Sequence, residues 1–105
     1  MGIWERLDLD PAIHRMVALV GGGGKSSTMY AMARQAADSG RTVVVTTTTH
    51  ILPHPGLPLA GDLVQLTSLL AEHPVVTLGA YDSRGKLAGA ADPASCLALA
   101  DGVLI

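Results

Sequence analysis

Seven consecutive residues, Gly21, Gly22, Gly23, Gly24, Lys25, Ser26 and Ser27, place four positions without side chains directly before a cation and two hydroxyls. Such an order suits anion binding. Glycines let successive backbone N–H groups converge on a phosphate with no Cβ in the way. A lysine adds a point charge for the terminal phosphates, which makes Lys25 the candidate catalytic residue, and a following hydroxyl such as Ser26 can hold Mg²⁺. The cofactors this chemistry calls for are ATP or GTP with Mg²⁺.

The spacing departs from the usual G-x-x-x-x-G-K-[ST] loop, because Leu19 stands where the first glycine belongs. What remains is a shorter G-x-x-G-K-S-S from Gly21 to Ser27. A dinucleotide fingerprint fits less well. Its third glycine would fall on Ser27 or on Ser26, and threonines replace the acid expected about 20 residues later. The residues favour a phosphate loop over a nicotinamide site.

Such a loop works only between a strand and a helix. Val17, Leu19 and Val20 supply the apolar run of a buried parallel strand. From Ser26 to Ser39 a helix is expected, since Met29, Met32, Ala33 and Ala36 recur at i, i+3, i+4 and i+7 and Gly40 is a natural stop. The run Arg41–Thr46 is the second strand, β-branched from Thr42 to Val45. If it returns parallel to the first, its end lies on the same sheet edge as the glycine loop, where ligands of open parallel sheets bind. Thr47, Thr48, Thr49 and His50 are therefore candidates for the substrate or phosphate side, the alternative being ordinary strand threonines leading into a turn. His50 and His54 have the spacing of a helical metal pair, but Pro53 and Pro55 forbid a helix across them.

Elsewhere, residues 1–14 read as a short helix or arm anchored by Trp4. Ile51–Gly61, with three prolines, reads as an irregular loop and candidate lid. Asp62 is a candidate N-cap for a helix over Leu63–Glu72, with Leu63, Leu66, Leu69 and Leu70 as its apolar stripe. Val75–Leu78 is the third strand, Gly79–Gly89 a hairpin or excursion, Asp92-Pro93 a helix start for Ala94–Ala100, and Val103–Ile105 a fourth strand, parallel and central. None of Asp82, Asp92 and Asp101 completes a magnesium site: the first two lie in or beside turns and the last at the opposite sheet edge. The chain thus reads as the N-terminal part, residues 1–105, of a single P-loop nucleotide-binding domain. That leaves an uncovered apolar sheet face, through which self-association is expected.

Composition bounds the partners. Hydrophobic residues make up 49% with only 3% aromatic, so the core is aliphatic. A net charge of −2 gives no electrostatic footprint for nucleic acid. The lone Cys96 fits a reducing compartment, and no apolar run reaches membrane-spanning length. A cytoplasmic chain with no nucleic-acid or membrane partner is expected.

The block VALVGGGGKSST, followed about twenty residues later by VVVTTTTHI, resembles the selenium-dependent hydroxylase accessory family, the YqeC-like proteins. Gly21, Gly23, Gly24, Lys25, Ser26 and Ser27 match that family's loop, and Thr46 to Ile51 match its TTTTHI strand end. Lys86, Leu87 and Gly89, and the run ending in Val103-Leu104-Ile105, look similar too. The resemblance implies a P-loop NTPase-like three-layer α/β fold with a mostly parallel sheet. It also implies a nucleotide-binding accessory or maturation factor for selenium-dependent molybdenum hydroxylases, with such a hydroxylase or its cofactor as partner. In the family an acidic segment follows this last strand. The short loop is shared with Mur-type ligases, so an ATP-dependent ligase or kinase domain is the alternative, and a non-catalytic phosphate-binding module a third.

Overall fold

A computed structural model of the chain describes residues 2–19, 25–47, 50–51, 56–81, 83, 85, 87–89 and 92–105, with backbone alone at 25–26, 50–51 and 87–88. The first element is a single helical turn, α1 (Ile3–Arg6), followed by strand β1 (Met16–Val17) and the long helix α2 (Lys25–Asp38). Then come β2 (Val43–Val45), β3 (His50–Ile51), β4 (Leu59–Ala60), α3 (Leu63–Leu70) and β5 (Val75–Leu78). The chain continues through β6 (Ala80–Tyr81), β7 (Leu87–Ala88), α4 (Pro93–Cys96) and β8 (Gly102–Leu104).

Five strands form one sheet in the order β1-β8-β2-β5-β4, and every pairing in it is parallel. The last strand is inserted between the first and the second, which makes β8 central as its apolar residues suggest. Alternation along the strands divides the core in two. Val43, Val45, Val75 and Leu104 pack with Trp4, Met29, Met32, Ala33 and Ala36, beneath α1 and α2. Val44, Val76, Leu78 and Val103 pack with Leu66, Cys96 and Ala100, beneath α3 and α4. The architecture is α/β with helices on both faces of a parallel sheet.

The helices start and stop for local reasons. The apolar stripe of α2 is the expected one, and all four of its members are buried. Gly40 ends the helix with φ +93°, as the N–H of Gly40 bonds the Ala37 carbonyl and the N–H of Arg41 bonds that of Ala36. These two bonds make a Schellman cap, and only glycine takes that backbone conformation at no steric cost. Asp62 caps α3 by accepting from the Gln65 N–H at 2.8 Å, and the Gln65 amide oxygen accepts from the Gly61 N–H at 2.7 Å. Asp92 caps α4 by accepting from the Ala94 N–H at 3.0 Å.

Trp4 anchors the N-terminal arm: its indole N–H donates to the Met32 carbonyl at 2.8 Å and its main-chain N–H to Gln35 Oε1 at 3.1 Å. Cys96 lies wholly inside the second cluster, where burial, reinforced by the nearby Asp92 carboxylate, raises its thiol pKa. No helix of the described residues is long and apolar enough to cross a membrane.

Four expectations need correction. The segment 51–61 is not wholly irregular, since it contributes Ile51 to β3 and Leu59–Ala60 to β4. Pro58 immediately precedes this edge strand and lends its carbonyl to the Thr77 N–H, a place where proline's missing donor does no harm. The helix expected over Ala94–Ala100 ends at Cys96, and residues 97–99 form turns. The second strand is shorter than Arg41–Thr46, because Asp101 holds Thr42 at its start. Lastly, no face of the sheet is left uncovered at its centre: Val103 is 0% and Leu104 1% exposed, and β2 and β5 are buried throughout. The arm with α1 and α2 covers one face, and α3 and α4 the other. The expected hairpin at 79–89 is present as antiparallel β6–β7, and β3 joins it in a small sheet of order β3-β7-β6.

Candidate functional site

All five parallel strands end at one edge of the sheet. Leu19 donates to the Ile105 carbonyl at 2.9 Å, Thr46 to Leu104 at 2.9 Å and Gly79 to Ala60 at 3.0 Å, which aligns the strand ends laterally. From Leu19 the chain reaches Lys25, the first residue of α2, across residues 20–24. The helix has 14 residues, about 21 Å of rise, and delivers the chain to Thr42 at the opposite edge. Its N-terminus, where a helix presents outward-pointing N–H groups and the positive end of its dipole, therefore opens beside the strand ends.

The sequence-predicted residues fall into two groups. Gly21, Gly22, Gly23, Gly24, Thr48 and Thr49 lie outside the described residues, as do the side chains of Lys25, Ser26 and His50. Of the rest, Ser27 is exposed on the first turn of α2, and Thr47 follows the end of β2 and is buried. The backbone of His50 pairs with Ala88 in the small antiparallel sheet. That sheet leaves the same edge, since β3 follows Thr47 by two residues and β6 follows β5 by one.

Two threonines at this edge behave differently. Thr46 is fully buried and donates its hydroxyl to the Leu78 carbonyl at 2.9 Å, which ties β2 to β5. Thr77 is 2% exposed, and its Oγ1 has no hydrogen-bond partner among the described residues. Sequence reasoning passed over Thr77. The one signal for it is a lone hydroxyl in the apolar run Val75–Leu78.

The described carboxylates that the sequence suggests are engaged in other roles, and Asp82 lies outside the described residues. Asp62 and Asp92 cap helices on the face away from α2. At the opposite edge, Asp101 accepts from the Thr42 N–H at 2.9 Å and from its hydroxyl at 3.2 Å. Those bonds, the backbone one foremost, with Arg41 and Arg15 nearby, hold the Asp101 carboxyl below its ordinary pKa against a smaller opposing effect of burial. Among the described residues no group of three or more His, Cys, Asp or Glu could hold a metal ion. A cavity of about 380 Å³ lined by Trp4, Leu9, Gln35 and Ser39, among others, lies toward the C-terminal end of α2, away from the strand ends.

A family model described as the YqeC protein matches residues 17–105. No curated protein and no solved structure matches the chain. The matched span starts at the second residue of β1 and runs through the end of β8, so it takes in the parallel sheet but for Met16 and leaves out the N-terminal arm.

Proposed function

This chain belongs to the YqeC family, and from that premise we propose that it is a P-loop-type nucleotide-binding protein. In this reading it is an accessory or maturation factor for selenium-dependent molybdenum hydroxylases that works in the cytoplasm. The phosphates of ATP or GTP sit at Gly21–Ser27. The backbone N–H groups of Gly21, Gly22, Gly23 and Gly24 face the anion, Lys25 neutralises the terminal phosphates, and Thr47, Thr48, Thr49 and His50 lie on the substrate side.

One observation carries the reading: a 14-residue helix that begins with Lys25 opens at the edge where five parallel strands end. Open parallel sheets bind ligands at that edge, and helix N-termini bind phosphate. In this reading Mg²⁺ would accompany the phosphates, with the Ser26 hydroxyl as the protein's ligand, and would neutralise part of their charge. Since Asp62, Asp92 and Asp101 are committed to other contacts, the proposal is of binding first. Any metal-holding acid needed for hydrolysis would come from outside the described residues.

Calorimetric titration with ATP·Mg²⁺, GTP·Mg²⁺ and inorganic tripolyphosphate tests this. Binding of all three by the parent chain is expected, with a loss of about 10- to 100-fold in Lys25→Ala, the range for a charge-assisted contact. Failure to bind any of the three would end the nucleotide reading.

A further inference from the structure

The cavity of about 380 Å³ between the N-terminal arm and the last turns of α2 has the size of a small-ligand site. Its apolar wall is Trp4, Leu9 and Pro11, and its polar wall is Glu5, Asp10, Gln35 and Ser39. These walls are held in place by bonds within the chain. The turn of α1 ends in a Schellman cap, with the Leu9 N–H on the Trp4 carbonyl at 2.9 Å and the Asp8 N–H on the Glu5 carbonyl at 3.0 Å. Asp8 takes the left-handed position of that cap, φ +58°, and the chain turns there before residues 9–11 join the wall. Next, the Asp10 N–H donates to His14 Nδ1 at 2.9 Å, and Asp10 Oδ1 accepts from the Ala12 N–H at 2.9 Å.

Most side-chain donors of the lining are already used, and its acceptors are not. The Trp4 indole N–H is bonded to the Met32 carbonyl, and the Ser39 hydroxyl donates to the Ala36 carbonyl at 2.7 Å. The Gln35 amide nitrogen lies against Gly2, in space that a Cβ there would need. By contrast, the Glu5 carboxylate and Asp10 Oδ2 have no hydrogen bond or ion pair among the described residues. No lysine, arginine or histidine lines the cavity. What remains is two carboxylates and a hydroxyl oxygen beside an indole, which suits a cation carrying N–H donors and repels a phosphate. We propose that this cavity binds a small organic ammonium ion, its charged end at Glu5 and Asp10 and its apolar body against Trp4, Leu9 and Pro11. Bound there, the ligand touches both the arm and α2 and holds one to the other. The site is separate from the nucleotide reading, and its residues 4–11 precede the span that the family model matches.

Trp4 is the only tryptophan of the chain, so its fluorescence reports on this cavity directly. The full chain is titrated at neutral pH with three probes of one shape: phenethylammonium, neutral 2-phenylethanol and anionic phenylacetate. Phenethylammonium is expected to change the Trp4 emission saturably and to bind at least about tenfold more tightly than phenylacetate, with the alcohol between them. Glu5→Gln and Asp10→Asn keep the size of each side chain, and the asparagine keeps the oxygen that accepts from Ala12. Each is expected to weaken phenethylammonium by up to about fivefold, the worth of an exposed ion pair, and to leave 2-phenylethanol unchanged. The double variant is expected to show no preference for the cation. No saturable change with phenethylammonium, equal affinity for phenylacetate, or a double variant that still prefers the cation would each overturn the inference.

Discussion

The two edges of the parallel sheet are built from similar residues and treated in opposite ways. At the N-terminal edge, polar groups are closed on one another. Arg15 donates to the carbonyls of Leu97 at 2.8 Å, Ala100 at 3.1 Å and Asp101 at 3.0 Å. Asp101 and Thr42 exchange bonds in both directions, since the Asp101 N–H also donates to the Thr42 hydroxyl at 3.0 Å. At the C-terminal edge stand the N-terminus of α2 and a buried hydroxyl, that of Thr77, with no described partner. One edge holds the fold together, while the other is where the proposed binding site lies. A pair of threonines makes the contrast concrete: the Thr42 hydroxyl is bonded to Asp101, whereas the Thr77 hydroxyl has no partner among the described residues.

This contrast predicts that binding and stability can be damaged separately. The largest effect belongs to Gly23→Val, which would put a branched side chain into the proposed phosphate loop. Nucleotide binding should be abolished while the unfolding temperature stays within a few degrees of the parent's. Titration with ATP·Mg²⁺ and a thermal melt on the same sample check both halves, and unchanged affinity would remove the phosphate loop from the argument.

Arg15→Met reverses the pattern. Its guanidinium satisfies the last carbonyls of the α4 region, where a cation is also favoured by the helix dipole. Removing it should lower stability by about 1–2 kcal/mol, measured by urea unfolding, and leave nucleotide affinity unchanged. A loss of affinity equal to that in Gly23→Val would mean that the edges are not independent.

Much of this division was legible before any coordinates. Periodicity placed α2, because Met29, Met32, Ala33 and Ala36 all face one core. Asp62 and Asp92 announced their caps, and a run of β-branched residues announced β2. The glycine loop that the residue types single out lies outside the described residues, but the edge it was expected at is the one where the N-terminus of α2 opens. What stayed hidden is non-local. Two-residue strands such as β3 and β4 have too little pattern to stand out among prolines, and β4 exists only because β5 is beside it. The central, parallel place of β8 was expected, but its neighbours β1 and β2, and the burial of Trp4 against α2, are likewise decided by packing between distant segments. So was the coverage of the sheet, which the short apolar arm and the single turn of α4 complete. Thr77 was illegible for the same reason, since lacking a partner is a property of surroundings and not of a residue type.

The smallest expected effect tests whether the closed edge is held by charge as well as by shape. Asp101 is ionised at neutral pH, and its hydrogen bonds to Thr42 favour that form, so its folded pKa lies below the ordinary value. A carboxylate shifted in this direction contributes stability that is fully present above its unfolded pKa, near 3.8. That contribution fades as pH falls through the lower, folded value, because protonation then removes an acceptor from the Thr42 N–H. Stability measured by urea unfolding between neutral pH and pH 3 should therefore fall more steeply in the parent than in Asp101→Asn. The two curves should converge at the acid end, with the variant weaker at neutral pH. Because Asp101 is exposed, solvent screening keeps the difference small, and added salt should shrink only the part contributed by Arg41 and Arg15. Nucleotide affinity at neutral pH should not move, since the proposed nucleotide site lies at the other edge. Parallel acid limbs in the two proteins would show that Thr42 is held by backbone geometry alone, and the closed edge would then be a matter of shape.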